Sequence, residues 1–203
     1  LEIDYPFIHD VMDYIEAECK KYGIPIFRIK PRKSWEALYN TPNCYGHIWG
    51  YPTRRARWCN SQYKMDANRQ LEEMMRAQGK RVIHYIGFCA DEMKRFKFEL
   101  NDRASNVTQI YPLAEMGVIE DDIWEWAKQQ PIYNDYYKYN KRCGCMGCPM
   151  ASTQELIYLK KYYPDWFEYF MVRAEETEKI REEELGRPFA IWHGNTKYNT
   201  PYK

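Results

Sequence analysis

The segment Gly144-Cys145-Met146-Gly147-Cys148-Pro149 constrains the fold more than any other stretch of the chain. A tight turn at this spacing brings both sulfurs of the C-x-x-C pair to one side, and Gly144 and Gly147 provide the backbone freedom it needs. Two cysteines cannot complete a four-coordinate site. Further ligands must therefore arrive from elsewhere in the chain, and the fold must carry them there. Such a pair also serves as a redox dithiol or as two buried thiols.

Periodicity frames the scaffold. Phe7, Ile8, Val11, Met12, Ile15, Cys19 and Tyr22 recur at helical spacing over residues 6–22, which makes Cys19 a buried core thiol by position. Gly23 stops that helix, and Ile24 to Ile29 reads as a short buried strand entered through Pro25. Residues 30–58 are rich in loop formers. An amphipathic helix follows from Ser61 to Gln78, then a strand at 81–87 that places His84 on a sheet face. A short strand is expected at 110–113 and a helix at 120–129, with Asp121 and Asp122 favouring its N-terminus. Ser152-Thr153-Gln154-Glu155 has the form of a capping box. Tyr163-Pro164 then breaks that helix, and a longer one runs from Asp165 to Leu185 and closes at Gly186. Helices alternating with strands predict an α/β fold built on a mostly parallel sheet in a three-layer sandwich.

Charge narrows the ligands. With 30 basic and 29 acidic residues among 203, no global field selects nucleic acid or an anionic membrane, so anion binding has to be local. Arg54, Arg55 and Arg57, three arginines in four positions beside a Gly-Tyr-Pro turn, suit bidentate capture of phosphate or sulfate oxygens. Lys30, Arg32 and Lys33 form a second basic group at an expected strand end. Glu92 and Arg95, in Asp91-Glu92-x-x-Arg95, follow a strand at the place where α/β sheets hold their ligands. Seven cysteines at uneven spacing suit a reducing compartment with metal or reactive thiols better than a disulfide framework. No apolar run reaches membrane-span length, so a cytoplasmic protein is expected.

Several stretches in order resemble the phosphoadenosine phosphosulfate (PAPS) reductase family of the adenine nucleotide α-hydrolase superfamily. They are Leu1-Glu2-Ile3-Asp4-Tyr5-Pro6; Arg57-Trp58-Cys59 with Lys64; Ile86-Gly87-x-x-Ala90-Asp91-Glu92-x-x-Arg95; Tyr111-Pro112-Leu113 with Asp122-Ile123-Trp124; and Gly144-Cys145-x-x-Cys148-Pro149. The family's Gly-rich phosphate loop would lie before Leu1, so the chain is expected to be part of a longer protein. The cysteine-bearing tail of the assimilatory enzymes is absent, which favours relatives in other sulfur chemistry. The resemblance covers residues 1–151 as an α/β domain and leaves 152–203 as a C-terminal helical extension.

The resemblance implies an enzyme of sulfur metabolism or sulfur transfer acting on an adenylylated or phosphosulfated nucleotide. It implies a 4Fe-4S cluster, with zinc as the alternative, on Cys59, Cys143, Cys145 and Cys148, Cys44 being the alternative fourth ligand. Arg54, Arg55 and Arg57 would hold the anion, and Glu92 with Arg95 the nucleotide end. The expected partners are the nucleotide, a nucleic-acid substrate or an electron-donor protein, and a second copy of the chain in a homodimer. A second reading is a non-catalytic binding module that keeps the fold and the cysteine site without the phosphate loop.

Overall fold

Local capping chemistry sets the two C-terminal helices. In the computed structural model, which describes residues 2–44, 46–95, 107–140 and 144–191, Ser152 Oγ accepts from Glu155 N (3.2 Å). The Glu155 carboxylate in turn accepts from Ser152 N (2.6 Å). This reciprocal box opens α6 (Thr153–Tyr162). Pro164 then takes the first position of α7 (Pro164–Leu185), where a missing N–H costs nothing. Gly186 ends α7 in the left-handed region, φ +62°, and donates to Glu182 O.

Residues 1–67 and 134–203 form one compact unit and residues 68–133 a second. In the first unit, α1 (Pro6–Lys21), α2 (Trp35–Tyr39) and a π-helical turn (Cys59–Lys64) share a core with α6 and α7. The segment expected as a C-terminal extension thus belongs to the same unit as the N-terminal segment. The core is mainly aromatic: Tyr39, Tyr51, Tyr63, Tyr136 and Phe170 are fully buried. Buried phenols need hydroxyl partners. Tyr39 donates to Glu176 Oε2 (2.9 Å), and Tyr51 donates to the Gly147 carbonyl.

The N-terminal half of this unit departs from expectation at two places. Residues 24–30 form no strand, because they find no ladder partner among the described residues, and β-propensity alone does not supply one. Cys19 is half-buried and not a core thiol. Of the α1 stripe only Phe7 is fully buried, while Met12 and Ile15 are 37% and 38% exposed.

The second unit carries the sheet. β1 (Val82–Tyr85) pairs in parallel with β2 (Val107–Ile110), in register from Val82↔Val107 to Tyr85↔Ile110. Parallel pairing demands a crossover, and residues 86–95, which include a 3₁₀ turn at Ala90–Arg95, are its described part. β2 lies earlier than expected because Pro112 opens the short helix α4 (Pro112–Glu115) and lacks the N–H a ladder needs. α3 (Met65–Ala77), most of which lies in this unit, precedes β1, and α5 (Glu120–Lys128) follows α4. His84 is half-buried on a sheet face, Nε2 3.4 Å from Glu72, as its alternation predicts. The chain is therefore mixed α/β with a small parallel sheet. No helix among the described residues is long and apolar enough to cross a membrane.

Candidate metal centre

Three of the expected thiols lie within electrostatic reach of their neighbours in the first unit, Cys59 with Cys145 and Cys145 with Cys148. Cys145 and Cys148 lie at the two ends of the knuckle turn, with their side chains hydrogen-bonded to one another. The turn is closed by Cys148 N donating to Cys145 O (3.3 Å), and Ala151 N donates to Cys148 O (2.8 Å). Cys59 opens the π turn and is buried, and its thiol lies within the electrostatic reach of Cys145. Tyr51 lies within the electrostatic reach of all three thiols.

The surrounding packing fixes the knuckle. Met146 N donates to Ile3 O (2.8 Å), which ties the turn to the N-terminal segment. Gly147 sits at φ +63°, and a Cβ there would stand 2.5 Å from the Tyr51 hydroxyl oxygen and from a carbon of the Phe170 ring. Only glycine fits both the backbone and the space. Tyr51 is itself held in place, since its N–H donates to Thr177 Oγ1 on α7 (2.7 Å). Trp58 Nε1 donates to Gly50 O (3.0 Å), which anchors the neighbouring Arg57-Trp58-Cys59 segment to the same turn.

The π turn sets the cation. Its hydrogen bonds run from residue i+5 back to residue i, which turns Lys64 nearer to the Cys59 side than an α-helix would, and Lys64 acts on Cys59 electrostatically. In an α-helix, residues five apart would diverge by about 140°. Lys64 hydrogen-bonds to Cys145 and faces Cys148. Burial pushes its ammonium down, while Cys145 and Cys148 in their ionised forms, and Asp4, push it up, and the net direction is above the ordinary lysine range. Burial and the neighbouring Cys145 push Cys59 up to about 11, opposed by Lys64 and Arg57. The hydrogen bond with Cys148, then burial, drive Cys145 far above the ordinary thiol range. Buried thiols in such a field stay protonated unless a stronger positive charge enters. A soft metal centre would supply that charge, and two thiols at a glycine turn with a third at the start of the π turn are donors of the right chemistry.

The remaining predicted residues are placed as follows. Cys143 lies outside the described residues, and among those described no three donors already stand at ligating spacing. Cys44 is exposed. Arg54, Arg55 and Arg57 are exposed on and just after a turn closed by Thr53 and Ala56 (3.2 Å), and Arg57 is the one whose field reaches Cys59. Arg32 is engaged by Asp66, which also accepts the Arg32 N–H (2.7 Å). In the second unit Glu92 accepts from Cys89 N (3.2 Å), a local turn contact. Asp91 accepts from Glu120 N (3.3 Å). The Arg95 side chain lies outside the described residues. Sequence reasoning missed Tyr51 and Phe170 as supports of the knuckle. The Gly-Tyr-Pro turn was visible, but nothing local indicates which carbonyl a tyrosine hydroxyl will reach.

Comparison with known proteins gives relatives without assigned activity. Uncharacterized protein MJ0973 of Methanocaldococcus jannaschii is 27% identical over 194 residues, covering 90% of this chain and 42% of that protein. Uncharacterized protein MJ0066 of the same organism is 22% identical over 189 residues, covering 88% of this chain and 37% of its own length. The chain thus spans about two fifths of the length of the curated relatives it matches. No family model matches the chain, and no solved structure matches it.

Proposed function

We propose that this chain is the cysteine-centre portion of a PAPS reductase-like enzyme of sulfur metabolism or sulfur transfer. The observation that carries the reading is the gathering of Cys59, Cys145 and Cys148 around Lys64, with Arg57 beside them. Cys143 is the fourth ligand in this reading, and the group is a 4Fe-4S cluster, with zinc as the alternative. An iron–sulfur cluster would supply redox or Lewis-acid character next to a bound anion. Arg54, Arg55 and Arg57 hold the phosphate or sulfate of an adenylylated or phosphosulfated nucleotide. The family resemblance also assigns Glu92 and Arg95 to the nucleotide; Glu92 is the weaker assignment, since its carboxylate already serves Cys89 N. The parallel β1–β2 pair is read as the described part of a larger sheet in a three-layer sandwich. A cytoplasmic setting, which keeps thiols reduced, belongs to the same reading.

The test is anaerobic purification with iron, zinc and sulfide analysis and a visible spectrum. Broad visible absorbance with iron and sulfide, lost in Cys145→Ser, supports the cluster. Zinc without visible absorbance replaces it with a structural site. A chain that binds neither metal, before or after reconstitution, overturns the reading.

A further inference from the structure

We propose that a cavity in the first unit, separate from the thiol centre, binds a small organic ammonium ion. The cavity is about 370 Å³, within the range of small-molecule sites. Its lining includes Glu2, Trp35, Glu36, Asp165, Trp166 and Tyr169. Two indoles and a phenol around three carboxylates combine ring faces with negative charge, the two features that select a cation with an apolar body.

The charges are not self-compensated. Glu36 is engaged by Arg173 (2.8 Å) and by the Tyr169 hydroxyl (2.7 Å). Among the described residues Glu2 accepts from neutral donors, Trp35 N (3.1 Å) and the Tyr63 hydroxyl (3.3 Å). Asp165, in the first turn of α7, has no cationic partner among the described residues. One lysine or arginine against three carboxylates leaves the lining anionic.

The walls are preorganised for a ring-face contact. Trp166 is 37% exposed, stacked on Phe170 (5.7 Å between centroids, 26°) and edge-on to Tyr169 (5.7 Å, 81°). Its indole is thus held from one side and open on the other. Trp35 is buried, and its Nε1 lacks a hydrogen-bond partner among the described residues. An alkylated ammonium ion fits the charge and the ring faces together. The inference does not depend on any metal being bound.

The experiment is calorimetric titration of the full chain, at constant ionic strength, with choline and with its uncharged carbon isostere 3,3-dimethylbutan-1-ol. The two share shape and hydroxyl and differ in charge. Choline is expected to bind saturably, and the alcohol about tenfold more weakly or not at all, the ratio a cation–π and carboxylate site gives. Trp166→Leu and Asp165→Asn should each weaken choline binding. Asp165→Asn decides the matter if Trp166→Leu loses its fold by circular dichroism. Equal binding of the alcohol, no saturable binding of choline, or unchanged binding in a folded Asp165→Asn chain overturns the proposal.

Discussion

Replacing Gly147 with alanine tests how tightly the knuckle is built. Two costs apply, and the structure separates them. The first is conformational: at φ +63° a residue with a Cβ is strained by about 1–2 kcal/mol. The second is steric: the new Cβ would stand 2.5 Å from both the Tyr51 hydroxyl oxygen and a Phe170 ring carbon, and overpacking of this kind costs about 1–3 kcal/mol. The sum is about 2–5 kcal/mol of unfolding free energy. Gly186 is the control, since it has φ +62° with nothing within 4 Å of the added Cβ. Gly186→Ala should therefore lose only the conformational part, about 1–2 kcal/mol. Urea unfolding followed by tryptophan fluorescence reads both variants on one scale. Gly147→Ala should also lower the metal bound per chain, because the same turn positions Cys145 and Cys148, while Gly186→Ala should not. Equal destabilisation by the two variants would refute the packing of the knuckle against Tyr51 and Phe170.

Three further outcomes follow from named contacts. Thr177→Val keeps the shape but strips the acceptor from the buried Tyr51 N–H, and urea unfolding should show a loss of about 1–3 kcal/mol; a neutral result would mean that water reaches this N–H. Ser152→Ala removes one half of the α6 capping box and should cost about 1 kcal/mol by the same assay. Arg57→Ala should weaken sulfate or adenylylated-nucleotide binding in calorimetry by about 1.5–3 kcal/mol, the value of a charge-assisted hydrogen bond; unchanged affinity removes Arg57 from the anion site.

The parts of this chain that were legible in its sequence are those fixed by local chemistry. Ser152 and Glu155 announce α6 because the cap is made within four residues. Pro164 and Gly186 bound α7 because each acts on its own backbone. The strand at β1 was visible for the same reason, through its alternation. Residues 24–30 were not, because a strand is defined by a partner that no local pattern names. Cys19 sits on a regular apolar stripe, but a stripe does not say whether anything covers it, and α1 is left partly open to solvent. At the centre, Cys59, Cys145 and Cys148 could be picked by residue type and motif. The π turn that joins Cys59 to Lys64 could not, since its sequence reads as ordinary helix. Tyr51 and Phe170 were hidden too, because their role exists only once α7 lies against the turn.

The central claim is that Cys59, Cys145 and Cys148 bind one metal centre. X-ray absorption at the metal edge of anaerobically purified protein tests it most directly. A first shell of sulfur at about 2.3 Å is expected, depleted in Cys59→Ser as well as in Cys145→Ser. A first shell of nitrogen or oxygen near 2.0–2.1 Å, or a sulfur shell unchanged in Cys59→Ser, would contradict it.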